Sequence, residues 1–80
     1  MSRIHQLKMY PSLFQAAITE KKSMEVRRND SNFQEGDRII LKEYSPTDGY
    51  TGSTQERLIT YVSPFEPKIG YISFEMEILN

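Results

Sequence analysis

The sequence has no cysteine, no tryptophan and a single histidine, His5. The lack of cysteine excludes a disulfide scaffold, a thiolate nucleophile and a cysteine zinc site. One histidine excludes a multi-histidine metal site, so neither a metal nor a cofactor is expected. No apolar run approaches the roughly 18 residues of a membrane helix, so no membrane partner is expected. The opening Met1-Ser2-Arg3-Ile4-His5-Gln6 is too polar for a secretory signal, and a cytoplasmic protein is the expectation. Neither sign of charge dominates: ten basic residues face eleven acidic ones, for a net charge of −1. No repeat, linker or low-complexity tract is visible.

What remains reads as one small domain over residues 1–80. A chain of 9.4 kDa should fold to about 5,000 Å² of surface, from about 13,600 Å² unfolded. That suffices for one modest core. The aromatics and β-branched residues, with the near-zero net charge, argue against disorder. The balance of charge hides an asymmetry. Residues 1–28 carry six basic groups and two acidic ones, against four and nine over residues 29–80. A positive N-terminal third creates a local field in a neutral protein. It is too small for the basic stripe of a duplex-DNA binder.

Hydrophobic periodicity predicts mostly strands. Ile4 to Tyr10 reads as a central strand, with Leu7 and Met9 on one face and Lys8 on the other. Pro11 breaks it, and Ser12 with Gln15 has capping-box spacing for a helix over about 12–21. Ser23 to Arg28 alternates, so Ser23, Glu25 and Arg27 share a face. Asn29-Asp30-Ser31-Asn32 and Gly36-Asp37 are turn signals. Further strands fall over Arg38 to Tyr44, Glu56 to Ser63 and Tyr71 to Leu79, the last with Ile72, Phe74, Met76 and Ile78 inward. The stretch from Ser45 to Gly52 reads as a loop. The fold class is therefore mainly β with one helix, and closure into a barrel would hide the sheet edges.

Certain residues carry chemistry. Arg27 can fork a phosphate, and Glu25 can accept from a base amine or act as a base. Lys22 precedes them and adds a compact positive charge, and Lys8 is a further phosphate contact. Asn29 and Asp30 suit turns through side chain to backbone bonds, and border the same region. Tyr44, Tyr50 and Tyr71 can stack on bases, Tyr50 best because of its loop. Ser23 and Thr51 carry hydroxyls, but no histidine orients them.

The segment Glu20-Lys21-Lys22-Ser23-Met24-Glu25-Val26-Arg27 resembles the Gly-x-Lys-x-x-Glu-x-Arg signature of ASCH domains, with Glu20 in place of the glycine. More closely, the order His5-Gln6-Leu7-Lys8, Arg27-Arg28-Asn29-Asp30, Phe33 to Asp37, Glu43-Tyr44 and Tyr50-Thr51-Gly52 is similar to a short bacterial and phage subgroup of unknown function. The resemblance implies a PUA-like β-barrel of five to six strands with a helix near one opening. It implies an RNA or nucleotide partner in a cleft beside that helix, lined by Lys22, Glu25 and Arg27. Some small ASCH members deacylate N4-acetylcytidine with a Lys, a Thr and a Glu. Their Lys matches Lys22, their Thr falls on Glu25, and Glu75 or Glu77 could supply the Glu. Binding without catalysis is thus the leading expectation. An amidohydrolase, with Lys22, Glu25 and Ser23 as candidates, and a protein-interaction module are the alternatives.

Overall fold

A computed structural model describes residues 2–79. The element order is β1 (Ile4–Met9), α1 (Pro11–Ile18), β2 (Lys22–Arg28), β3 (Arg38–Ser45), β4 (Gly49–Val62) and β5 (Tyr71–Ile78). The five strands form one mixed sheet in the order β1-β3-β4-β5-β2. β1 runs parallel to β3, and the other neighbours are antiparallel. The protein is mainly β with one short helix. Among the described residues no helix is long and apolar enough to cross a membrane.

The sheet is open, where the sequence suggested closure into a barrel. No ladder joins β1 to β2, the two ends of the strand order. The sheet curls until these ends face each other, and one side chain crosses the gap: Arg27 Nη2 donates to the Lys8 carbonyl at 3.3 Å. β1 is consequently an edge strand, not the central one its apolar content suggested.

Proline at the first helical position starts α1, since its missing N–H costs nothing there. The helix ends at Ile18, three residues short of the expected boundary, and Thr19 closes it with Oγ1 donating to the Ala16 carbonyl at 2.7 Å. Phe14 is its buried anchor. It joins Leu7, Met9, Phe33, Ile39, Leu41, Ile59, Phe74 and Met76 in one core. Phe74 and Met76 are buried as the alternation in β5 predicted, and Ile72 packs against them. Phe33 stacks on Phe74 at 4.7 Å and meets the His5 ring at 4.5 Å.

The stretch read as a loop from Ser45 to Gly52 is the tight end of the β3–β4 hairpin. Ser45 pairs with Gly49 and Tyr44 with Tyr50. The register shifts between Lys42 and Tyr44, and Gly52, at φ +93°, lies in the β4 segment opposite. That positive φ is open to glycine without the Cβ penalty. The bulge lets β4 start seven residues before the expected Glu56, and it moves Tyr50 from a flexible loop into a ladder.

Candidate functional site

The gap between β1 and β2 is a groove. One part, of about 420 Å³, is lined by Lys8, Met9, Tyr10 and Leu13 on one side and Glu25, Val26 and Arg27 on the other. A second part, of about 350 Å³, continues past Arg28, Asp30 and Ser31 to Tyr71. A third recess runs between α1 and β2 over Leu13, Ala17, Glu20, Ser23 and Glu25. The groove therefore separates β1 from β2, and the third recess borders the helix.

Strand parity sets which side chains of β2 are half-buried. Ser23, Glu25 and Arg27 are half-buried, while Lys22, Met24, Val26 and Arg28 are exposed. Glu25 and Arg27 share the groove, with Arg27 Nε 3.4 Å from Glu25 Oε1. Lys22 does not join them. β2 already begins at Lys22, so the period of two sends its side chain to the opposite face. There its Nζ lies 3.2 Å from Glu75 Oε1. The expected trio of Lys22, Glu25 and Arg27 in one cleft is thus a pair, with Lys22 behind the sheet.

The other candidates are distributed around this pair. Ser23 Oγ accepts from Arg57 Nη1 at 3.1 Å, so it is held by a cation and faces no base. Asn29 is exposed, and its backbone N–H donates to the Gly70 carbonyl at 2.9 Å. Asp30 lines the second part of the groove and accepts from Ser31 Oγ at 3.1 Å. Lys8 borders the groove from the outer face of β1.

Beside Lys8 lies a feature that sequence order conceals. Tyr10, Tyr44 and Tyr50 form a row, with ring centres 6.4 Å and 5.1 Å apart. Lys8 Nζ sits 4.5 Å from the Tyr44 ring centre, and Lys42 Nζ 4.5 Å from that of Tyr50. Tyr10 and Tyr50 are each about half exposed. Register explains the row, because Lys8 lies opposite Lys42 and Tyr44 opposite Tyr50. Tyr10 lines the groove as well, so the row and the groove are continuous.

Three buried polar groups were not singled out for chemistry from the sequence. Arg57 has no exposed surface. Its guanidinium donates to Gln55 Oε1, Ser23 Oγ and the carbonyls of Ala17 and Glu20, at the end of α1. Burial lowers its pKa from the ordinary value, against the opposing charge of Glu20. Glu43 is buried too, and accepts from Thr51 Oγ1 at 2.8 Å and Gln15 Nε2 at 3.2 Å. Their signal was parity: Arg57 shares a face with Ile59, and Glu43 with Ile39 and Leu41. Asp37, read as a turn residue, is buried and lies 2.8 Å from His5 Nε2. Among the described residues no group of three or more His, Asp or Glu side chains could hold a metal.

The model of one protein family, described as a domain of unknown function (DUF3850), matches residues 4–76. The chain belongs to that family. It is also similar to an uncharacterised 12.9 kDa protein from the GpA 3′ region of Escherichia phage P2, with 36% identity over 64 residues. That match covers 79% of this chain and 57% of the phage protein, so the chain spans little more than half the length of its relative. The matched family segment runs from β1 into β5 and includes both sides of the groove.

Proposed function

We propose that this DUF3850 domain is a cytoplasmic, PUA-like module, related to ASCH domains, that binds single-stranded RNA or a nucleotide. The observation that carries the reading is the row of Tyr10, Tyr44 and Tyr50 flanked by Lys8 and Lys42, opening onto the groove of Glu25 and Arg27. Bases stack on aromatic faces whatever their sequence, and cations beside them take the phosphates. The Arg27 fork suits a phosphate, and Glu25 an exocyclic amine. The curled sheet with a helix beside its open seam suits a PUA-like architecture in a slightly opened form.

The test is an NMR titration with short single-stranded RNAs and with free nucleotides, at two salt concentrations. Amide shifts are expected at Lys8, Tyr10, Arg27, Lys42, Tyr44 and Tyr50. If Lys8, Arg27 and Lys42 each meet a phosphate, the affinity should fall with salt at a log–log slope of about −2. An absence of shifts there for every ligand would end this reading.

One observation favours an amidohydrolase instead. Lys22 and Glu75 are ion-paired, and a Lys and a Glu serve the ASCH enzymes that deacylate N4-acetylcytidine. An absorbance assay with N4-acetylcytidine tests this. Turnover that Lys22→Ala abolishes would raise the enzyme above the binding module.

A further inference from the structure

The groove has a second end, at a tyrosine that the nucleotide reading leaves unused. β5 opens at Tyr71, which stands directly opposite Arg28 in the β2–β5 register. Opposed residues in an antiparallel pair share a face. Exposed Arg28 and half-buried Tyr71 therefore lie together, on the face of β5 opposite the buried Phe74 and Met76. Both line the second part of the groove.

The turn before β5 folds a further cation over that ring. Tyr71 N–H donates to the Lys68 carbonyl at 2.9 Å, and Gly70, at φ +82°, supplies the left-handed residue of the reversal. Lys68 Nζ sits 5.1 Å from the Tyr71 ring centre. The turn is tied on two sides: Gly70 N–H donates to Glu66 Oε2 at 2.9 Å, and the Gly70 carbonyl accepts from Asn29 N–H at 2.9 Å. The ring and its cations are thus held in place before any ligand arrives, which lowers the ordering cost of binding.

Among the described residues lysines lie over three tyrosine rings, those of Tyr44, Tyr50 and Tyr71. Two belong to the row at one end of the groove, and the third stands at the other end. Between the ends, the two parts of the groove share Val26 and Arg27. An aromatic face with a cation at each end, and a guanidinium between them, is a pattern repeated along a line. It matches a chain of alternating bases and phosphates, whereas a single nucleotide engages one end. Asp30 also lines the far end. A carboxylate repels phosphate but accepts from a base amine, so phosphates there fall to Arg28 and Lys68.

We propose that Tyr71, with Lys68 and Arg28, is a second base-stacking subsite, and that the ligand is a single-stranded oligonucleotide spanning from the tyrosine row to Tyr71. The proposal rests on the nucleotide-binding reading and adds the length of the ligand to it. Two linked contacts on one strand bind as one event at a high effective concentration, so affinity rises with length until both ends are engaged.

The experiment reads binding at the Tyr44 amide by NMR, in the wild-type chain, Tyr71→Ala and Tyr71→Phe. The ligands are a uridine dinucleotide and an oligouridylate of about eight nucleotides. The wild type should bind the longer strand at least about tenfold more tightly. Tyr71→Ala should weaken the longer strand by about tenfold and leave the dinucleotide unchanged at Tyr44, and Tyr71→Phe should restore the longer strand. A residue at the far end acts selectively on one ligand read at Tyr44 only when that ligand reaches both ends. A damaged fold would weaken both ligands alike. Equal affinities for the two lengths, or a Tyr71→Ala variant that weakens both ligands or neither, would overturn the spanning ligand and leave nucleotide binding standing. No shift at Tyr44 with either ligand would remove the nucleotide reading and the second subsite together.

Discussion

Arg57 Nη2 donates to the Ala17 carbonyl at 2.7 Å, from a side chain with no exposed surface. The cation sits against the C-terminal end of α1, the negative end of the helix dipole, where the Ala17 carbonyl also accepts from the Glu20 N–H. Among the described residues no carboxylate lies within ion-pair distance, and backbone, amide and hydroxyl oxygens accept from the buried guanidinium. β4 thereby ties the end of α1 to Ser23 at the start of β2, and so fixes one wall of the groove.

Replacing Arg57 by methionine keeps much of the volume and deletes every donor. The carbonyls of Ala17 and Glu20 would be left without this partner, at a cost of about 3 kcal/mol in all. A domain of this size has on the order of 4–12 kcal/mol of stability. Urea denaturation should therefore show a clearly lower midpoint with an unchanged slope. An unaltered midpoint would show that the guanidinium holds nothing in place.

The buried Asp37 carboxylate contributes to the response to acid. Burial alone would raise the Asp37 carboxyl. Hydrogen bonds from His5 and from the N–H groups of Arg3 and Gln34, with the His5 charge, outweigh it and hold the carboxyl below its ordinary 3.8. A native pKa below the unfolded one means stability that is complete above the unfolded value and lost as pH falls through the native value. The melting temperature should therefore drop steeply only below about pH 4. Asp37→Asn should melt lower at neutral pH and lose much of that acid slope. An equal acid slope in both proteins would assign it to other carboxylates.

Phe74 is 1% exposed, and its ring joins Phe33 and, through it, His5. Phe74→Ala should cost about 3–5 kcal/mol by lost transfer and a residual cavity. Amide exchange in β5 should accelerate towards that of the turn at 46–48. Retained protection would mean that the core closes over the missing ring.

The legibility of the fold followed the strength of local pattern. The alternation of Phe74 and Met76 marked β5 because one face is buried and the other is not. Pro11 marked the start of α1, since few residues signal a boundary so directly. Curling, by contrast, is a property of five strands together, so no segment announced that β1 and β2 would face each other unpaired. Lys22 was misplaced for a local reason: shifting the start of a strand by one residue sends a side chain to the other face. The tyrosine row was hidden because Tyr10, Tyr44 and Tyr50 meet only through the β1–β3 and β3–β4 registers. Glu25 and Arg27 were paired correctly because two residues on one strand need only the period of two.

The nucleotide reading makes its sharpest demand on Tyr44. This ring lies between Tyr10 and Tyr50 and carries Lys8 above it. Stacking one base on an aromatic ring is worth about 1–3 kcal/mol. Tyr44→Ala should thus weaken a short single-stranded RNA by about tenfold, and Tyr44→Phe should restore most of the loss, because the π-face is kept. Arg27 needs a paired measurement. Arg27→Lys keeps the charge but loses the planar fork, so affinity should fall if a phosphate is held there. Glu25→Gln should change stability by at most about 1 kcal/mol, as a partly exposed pair does. Melting temperature and affinity measured on both variants separate the roles. Lower melting with unchanged affinity would make Arg27 a strut across the seam, with Glu25 its counter-charge and the tyrosine row the whole of the binding surface.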